Sequence, residues 1–513
     1  MWDYLIVTAS NETQGAAYER LLSQRKLAGQ LPDFRHVMVV TDPDGKRIGS
    51  GGSTILCVLR VVEQERQERE TLTATLRRLR IMIIHAGGDS RRLPAYGPCG
   101  KIFIPVPDNS PTRSTTLFDR LLPSYLALPP GKPGAGQLLV ISGDVLLKFD
   151  ASRVRLDLPG LVALGCYDTP EHSSKHGVFV ADDTTVRLYL QKPSVAEQEA
   201  AGALNAQGRS ALDIGVMSFD ADAVTRMLQA CEVQPVAKGK LDFSPRMRTA
   251  IFTHGLDLYR EICCSLGTET TRARFLQSVR ACGSKWDEAI LDTMFAILHP
   301  MPCHVQVVPQ CTFLHFGTTT QLISSGLEAA GSGKQSSTLL VLNTTLAPAA
   351  TITGENAWIE GCRIEAPVKL AGKNVMVGID VTHPLELPAG ACLDIVPGTN
   401  RAGEPVHFVR CYDIGDTFKD PADHGGTFCG IPLLQWLKAA GMATEGIQSL
   451  WDAPVFPAIR EHQDFTKWLW MFTPFSATPA QKDAYQAADR YSAAEIALLT
   501  NQAAFHSRRP SAT

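Results

Sequence analysis

Apolar and polar positions along this chain change rhythm several times, and each change predicts an element. Tyr4 to Val7, His36 to Val40 and Ile81 to Ile84 are short apolar runs bounded by polar or turn residues, the pattern of buried strands. Between them, Ala16 to Gln24 has helical spacing, and Ile55 to Leu79 reads as a long helix with a charged middle at Glu63 to Glu70. Strand, helix, strand, helix, strand predicts a parallel sheet with crossover helices, whose ligands gather at the carboxyl ends of the strands. Further strands are predicted at Gln137 to Ser142, Leu161 to Cys166, Val178 to Val180, Val186 to Gln191 and Asp213 to Phe219. Residues 221 to 300 read as mainly helical, with Trp286 and Met294 as packing residues.

The rhythm then changes to a period of six. Leu340, Leu346, Ile352, Trp358, Ile364, Leu370 and Met376 recur in phase, which fits neither a helix nor a simple strand. Hexapeptide repeats that coil into a parallel β-helix produce this signal, and such a coil serves as a scaffold. From about residue 430 the chain is helical and rich in aromatics, with Trp436, Trp451, Trp468 and Trp470 expected to pack between domains. The predicted boundaries are therefore 1–325, 326–430 and 431–513, within an α/β fold carrying an appended β-helix and a helical end.

Composition narrows the class. A net charge of −3 over 513 residues leaves no broad basic field for nucleic acid. No apolar run approaches the ~20 residues of a membrane span, and the opening MWDYLIVTASNETQ lacks a secretory pattern. Thirteen cysteines lie without a C-x-x-C pair, so they read as reduced thiols of a cytoplasmic protein rather than zinc ligands.

The densest chemistry lies in RIMIIHAGGDSRRLPAYGPCGKIFIPVP, Arg80 to Pro107. A strand opens into Gly87-Gly88, then Ser90, Arg91 and Arg92, then Gly100 and Lys101. Glycines let backbone N–H groups approach a ligand, and an arginine fork with a lysine point charge suits a polyphosphate. This is not the G-x-G-x-x-G dinucleotide fingerprint. A second glycine loop is predicted at GSGGST, Gly49 to Thr54. Asp144, after the run ending at Ser142, is placed as a hard-oxygen ligand would be for Mg²⁺. Lys192 precedes Pro193, which would keep it extended and aimed. Asp213 is a second ligand or a strand-edge residue, and His315 in FLHFGTTTQL is a sugar contact or a core histidine. His172 and His176 lack the glutamate of a metalloprotease helix, and GSGK at Gly331 to Lys334 fails as a P-loop, leaving a solvated loop.

The Gly-Gly-x-Ser-x-Arg-Leu-x-Pro…Gly-Lys arrangement resembles the signature loop of sugar-phosphate nucleotidyltransferases. The order HAGGDSRRLP…GK, SGDV, QKPS, LDIGV, FLHFGTT, DIGDTFKD, FCGIPLL and LWDAPVFP resembles one family over nearly the whole chain: the fucose-1-phosphate guanylyltransferases, or GDP-fucose pyrophosphorylases, including the pyrophosphorylase half of bifunctional fucokinase proteins. The resemblance implies that Gly87, Gly88, Ser90 and Arg92 hold the nucleotide and that Lys101 touches its phosphates. It implies that Gly51, Gly52 and Ser53 line the nucleotide side, that Asp144 ligates magnesium with Asp213 as a second ligand, and that Lys192 meets the sugar phosphate. Residues 1–325 would then be the nucleotidyltransferase domain, acting on GTP and fucose 1-phosphate. Related enzymes often have Glu-Lys-Pro where Gln191-Lys192-Pro193 stands here. No kinase half is expected within these residues; a separate fucokinase partner and the oligomeric state stay open. The rival readings are a nucleotidyltransferase using UTP or another sugar, and a non-catalytic nucleotide-binding scaffold. A hexapeptide acyltransferase is disfavoured because Thr338 to Asp380 contains no histidine.

Overall fold

The computed structural model describes residues 2–236, 240–331 and 338–509. Contacts divide the chain into two compact units, residues 1–88 with 122–313, and residues 89–121 with 314–513.

The first unit is built on a sheet of nine strands among the described residues. β1 (Tyr4–Ala9) pairs in parallel with β2 (His36–Thr41) and with β3 (Arg80–His85), and β3 pairs in parallel with the strand Gln137–Ser142. All six residues of β1 are buried, which is why a continuous apolar run rather than an alternating one marks a central parallel strand. The expectation of a parallel sheet holds for this half. The strand Ser210–Phe219 runs antiparallel to both Gln137–Ser142 and Leu161–Asp168, so the sheet as a whole is mixed. Its outer part adds Cys303–Val307, Thr185–Gln191 and Gly177–Asp182.

α1 (Glu12–Leu27) follows β1, capped by the Asn11 side chain. Two expectations change beyond it. The predicted glycine loop at Gly49–Thr54 is the first turn of a helix, α2 (Gly49–Glu65). The long helix predicted over 55–79 ends at Glu65. A turn through Arg69, at φ +69°, leads to the short α3 (Leu72–Arg77). The crowded charges at 63–70 favour a solvated turn over a continued helix. Trp286 and Met294 are fully buried, as their spacing suggested.

The second unit contains three parallel ladders. Leu339–Leu342, Ala357–Glu360, Val375–Val377 and Ala391–Thr399 form one; Thr345–Leu346, Arg363–Ile364 and Asp380–Val381 the second; Ile352–Thr353, Val368–Leu370 and Leu385–Leu387 the third. The chain visits each ladder in turn. Leu340 lies opposite Trp358, 18 positions on, and Trp358 opposite Val375, 17 on, so the sixfold phase slips by one residue at the second step. Of the in-phase positions, Trp358, Ile364 and Met376 are buried, whereas Leu346 is 48% exposed on the outermost strand of its ladder.

Ala391–Thr399 turns back through an antiparallel partner, Pro405–Asp413, toward helices Leu433–Ala439, Pro479–Ala487, Ala493–Leu499 and Gln502–Ser507. Trp436, Trp468 and Trp470 cluster around Tyr485, an aromatic core internal to this unit. Compactness thus groups 89–121 with the ladders instead of following the boundaries expected at 325 and 430. The loop predicted at Gly331–Lys334 lies, from 332 on, outside the described residues. All thirteen cysteines are free thiols. Among the described residues, no helix is long and apolar enough to cross a membrane.

The burial pattern predicts that Met376→Ala destabilises the protein by about 2–5 kcal/mol and Leu346→Ala by less than about 0.5 kcal/mol. Urea unfolding of the two variants checks this; equal losses would contradict the assigned ladder register.

Candidate functional site

In the first unit, the carboxyl ends of β1, β3 and Gln137–Ser142 lie side by side because the three strands share one parallel register. The Thr8 hydroxyl at the end of β1 accepts hydrogen bonds from the N–H groups of Ala86 (3.0 Å) and Gly87 (3.1 Å). A Cβ on Gly87 would lie 3.3 Å from the Ala9 backbone, so this glycine lets β3 exit close against β1. Gly88 stands at φ +108°, a backbone that side-chain-bearing residues rarely adopt. One glycine thus serves chain packing, and the next serves the turn.

The backbone N–H groups of Gly51 and Gly52 are already engaged within the unit. Both N–H groups donate to the Leu256 carbonyl, at 2.8 and 3.2 Å, and a Cβ on Gly51 would sit 2.9 Å from the Leu256 side chain. The buried Ser53 hydroxyl donates to Asp42 at 2.8 Å. The structure therefore gives this glycine run a packing task, seating α2 on the 256–262 segment.

Two predicted carboxylates come together around a close contact between Ser142 and Gly215. The Ser142 hydroxyl donates to Asp144 at 2.8 Å. Gly215, at φ +74°, approaches so closely that a Cβ there would lie 2.9 Å from the Ser142 Cβ. The Gly215 N–H donates to one oxygen of Asp213 (2.8 Å), and the Tyr189 hydroxyl donates to the other (2.9 Å). Gly177 makes room for that hydroxyl, since a Cβ there would overlap it. Burial raises the Asp213 carboxyl to about 6, against the lowering effect of those two hydrogen bonds. Tyr259 is held well above its ordinary value, first by burial and then by charges that include Asp213 and Asp144.

Lys192 is exposed at the end of the strand Thr185–Gln191. Its backbone is not extended as the following proline suggested; φ is +51°, and its N–H donates to the His176 carbonyl at 2.9 Å. A left-handed residue before proline costs energy, and the tertiary hydrogen bond holds it there. His176 and His172 pack edge-on to Phe313, and His172 bonds Asp168 at 2.5 Å. Among the described residues no group of three or more His, Cys, Asp or Glu side chains forms a ready metal site.

The second unit carries Ser90, Arg92 and Lys101. Ser90 sits at φ +52°, and its carbonyl accepts from Leu93 N–H at 2.7 Å, closing the turn that presents the two arginines. Those arginines differ. Arg91 pairs with Asp89 (2.9 Å) and lies over the Trp451 ring, 4.8 Å from its centre. Arg92 is exposed, and among the described residues none pairs with its guanidinium. The Arg92 carbonyl accepts from the Thr319 N–H at 3.0 Å, and the Lys101 ammonium donates to the Gly317 carbonyl at 3.3 Å. Both residues thus meet the same short stretch, Gly317–Thr319, which opens the helix Thr319–Ala329 under a Thr318 cap. His315 packs its ring over Gly317, where a Cβ would lie 2.2 Å from the imidazole.

The late motifs converge on the same loop. Phe418 of DIGDTFKD donates its N–H to the Arg91 carbonyl (2.8 Å) and accepts from the Trp451 N–H (2.9 Å). Asp416 gathers four donors, the N–H groups of Asp413, Cys429 and Gly430 and the Thr427 hydroxyl, at 2.6 to 3.2 Å. It ties DIGDTFKD to FCGIPLL.

Sequence reasoning passed over Tyr189, three positions before Lys192, and His85. The His85 Nε2 lies 2.9 Å from the Thr54 hydroxyl, and burial lowers its imidazole to about 4. Their only sequence signal was a polar ring at the end of an apolar strand.

With this geometry in view, the comparisons with known proteins are direct. The fucose pyrophosphorylase domain matches residues 73–461, and the chain belongs to that family. It is 26% identical over 494 residues to the L-fucokinase/L-fucose-1-P guanylyltransferase of Bacteroides fragilis, covering 91% of this chain and 47% of that protein. It is 26% identical over 522 residues to the bifunctional fucokinase/GDP-fucose pyrophosphorylase of Arabidopsis thaliana, covering 89% and 47%. With human fucose-1-phosphate guanylyltransferase it shares 27% identity over 345 residues, 63% of this chain and 54% of that one. The chain spans about half the length of the curated relatives it matches.

The lowered His85 value has a consequence for stability. The folded protein resists protonation that the unfolded chain accepts near 6.5. The stability this group contributes is therefore complete above about 6.5 and is lost as pH falls toward 4, by up to about 3 kcal/mol. Compared with the parent, His85→Asn should lose less stability between pH 7 and 4.5. Urea unfolding at the two pH values measures this, and equal pH dependence in both proteins would contradict it.

Proposed function

We propose that this chain joins GTP to fucose 1-phosphate, giving GDP-fucose and pyrophosphate. The observation that carries the reading is that the family match is accompanied by a convergence of motifs. Gly317–Thr319, Phe418 and Trp451, all more than 200 residues from it in sequence, hold the backbone or side chains of the loop bearing Arg92 and Lys101. The relatives' names supply the substrates. We also read the three parallel ladders as coils of a β-helix.

The sugar phosphate is already an anion, so no general base is needed to create the nucleophile. One of its oxygens bonds to the α-phosphorus of GTP as the bond from that phosphorus to the bridging oxygen breaks. Pyrophosphate leaves with the electron pair. The obstacle is repulsion, since unit charges 4 Å apart cost about 1 kcal/mol in water and several-fold more in a dry cleft. Arg92 and Lys101 act as phosphate-holding cations that lower this cost and restrain the approach to an in-line path. Lys192 supplies the sugar phosphate's counter-charge from an exposed, left-handed position.

Asp144 and Asp213 fit a role in holding Mg²⁺. Magnesium usually takes one or two carboxylates and completes its shell with water and substrate phosphates, so a pair without a third protein ligand suffices. Asp213, raised to about 6 and already accepting two hydrogen bonds, is the less available of the two. When bound, the ion would neutralise phosphate charge; the protein's part is to keep both carboxylates oriented.

Pyrophosphate release over a grid of four nucleoside triphosphates and several sugar 1-phosphates tests the proposal. The highest kcat/KM is expected for GTP with fucose 1-phosphate. A different best pair would transfer the reading to another nucleotidyltransferase, and GTP binding without turnover would favour a nucleotide-binding scaffold. Lys101→Ala should lower kcat by about 10²-fold or more, the effect of losing a preorganised donor. Asp144→Asn should abolish magnesium-dependent turnover. Parent-like rates in either variant would remove that residue from the site.

A further inference from the structure

The ladder region is more than an appended scaffold. We infer that Arg410, Asp394, Glu360 and Trp358 are positioning residues that set the conformation of the Arg92–Lys101 loop. The inference rests on the proposed reading of Arg92 and Lys101 as phosphate-holding cations.

Between those two cations the loop runs Leu93 to Gly100, and its polar groups are met from the ladders and the last helix. The Pro94 carbonyl accepts from Arg410 at 2.9 Å, and the same guanidinium donates to Asp394 at 2.6 Å. The Tyr96 hydroxyl accepts from the Trp358 indole at 2.8 Å and donates to Glu360 at 3.1 Å. Glu360 is further held by Asn343 at 3.0 Å and by an ion pair with Arg509 at 2.7 Å. The Pro98 carbonyl accepts from Gln502 at 2.5 Å. Arg410 and Asp394 are 2% and 1% exposed, and Glu360 is fully buried.

As a source of stability this arrangement is poor. A buried ion pair must overcome the desolvation of two charges, and well-packed apolar side chains of similar volume commonly do as well or better. What apolar side chains cannot do is donate to the Pro94 carbonyl or accept from the Tyr96 hydroxyl. The buried charges therefore specify where the loop's turns sit. Together with the Gln502 amide they act near both ends of the segment that carries the cations: Arg410 at Pro94, two residues from Arg92, and Gln502 at Pro98, three from Lys101. A cation displaced by about 1 Å loses much of its catalytic value.

The test uses the full chain. Tyr96→Phe removes one hydroxyl, and Arg410→Met/Asp394→Val removes the ion pair without stranding a charge. Val368→Ala, in the ladder Ile352–Thr353/Val368–Leu370/Leu385–Leu387, serves as a control for general destabilisation. Each is measured for thermal midpoint, for affinity toward a fluorescent GTP analogue, and for KM and kcat. Both loop-anchor variants should bind the analogue about tenfold more weakly, roughly one buried hydrogen bond's worth. They should also raise KM for GTP, with no matching change in KM for fucose 1-phosphate. Val368→Ala should lower the midpoint and leave these constants unchanged.

Anchor variants that fold and bind GTP like the parent would overturn the inference while leaving the proposed reaction intact. A parent chain that binds GTP without turnover would refute the reaction and leave the anchoring to be read from binding. A parent that binds no GTP would refute both. If the double variant fails to fold, Tyr96→Phe decides alone.

Discussion

A buried carbonyl must find a donor, and the second unit is organised around that requirement. The loop from Arg91 to Lys101 has only short turns of its own, in which Gly97 N–H donates to Pro94 and Tyr96 N–H to Leu93, so much of its carbonyl capacity is met by distant donors. Phe418, Thr319, Arg410 and Gln502 supply the donors at Arg91, Arg92, Pro94 and Pro98. Each donor belongs to a different element of the 314–513 region. That dependence explains why contacts assign a 33-residue segment, 89–121, to a unit whose other residues begin more than 190 positions later. It also gives the late motifs a physical meaning. DIGDTFKD, FCGIPLL and LWDAPVFP form a bed on which one arginine is immobilised and the next is left exposed.

The first unit solves a different problem, keeping an acidic group ordered in an apolar sheet. Asp213 lies in the bulge of the strand Ser210–Phe219, where its pairing with Leu161–Asp168 shifts register. The bulge frees the Gly215 N–H to turn toward the carboxylate, and the neighbouring hydroxyl of Tyr189 takes the second oxygen. Three glycines make this possible by what they lack. Gly177 clears space for Tyr189, Gly215 for Ser142, and Gly143 for the His85 carbonyl, which would lie 2.6 Å from an added Cβ. Asp144 follows directly from that last approach.

Much of this was legible in the sequence, for reasons that differ by residue. The strands of the first unit were readable because central strands are apolar without interruption, as at Ile81–Ile84. The sixfold phase of Leu340 to Met376 falls on the three parallel ladders, whose register steps by 18 residues from Leu340 to Trp358 and by 17 from Trp358 to Val375. The helix break at Glu65 was missed because the charges of Glu63 to Glu70 read as the middle of one long helix. GSGGST reads as a loop from its glycines but opens a helix, because its close approach to Leu256, which seats that helix, has no local signal in the sequence. Lys192 was expected to be extended, but the hydrogen bond from its N–H to the His176 carbonyl overrides the local preference. Asp416 and Arg410 gave no signal at all, since their roles exist only once distant segments meet.

The central claim is that the exposed guanidinium of Arg92, whose backbone carbonyl is held by Thr319, and the ammonium of Lys101, held by the Gly317 carbonyl, grip one polyphosphate. A crystal structure of the chain with a non-hydrolysable GTP analogue tests this most directly. The account predicts that both cations lie within about 3 Å of phosphate oxygens of the same nucleotide. An analogue bound with its phosphates away from both side chains, or with only one of them in reach, would contradict it.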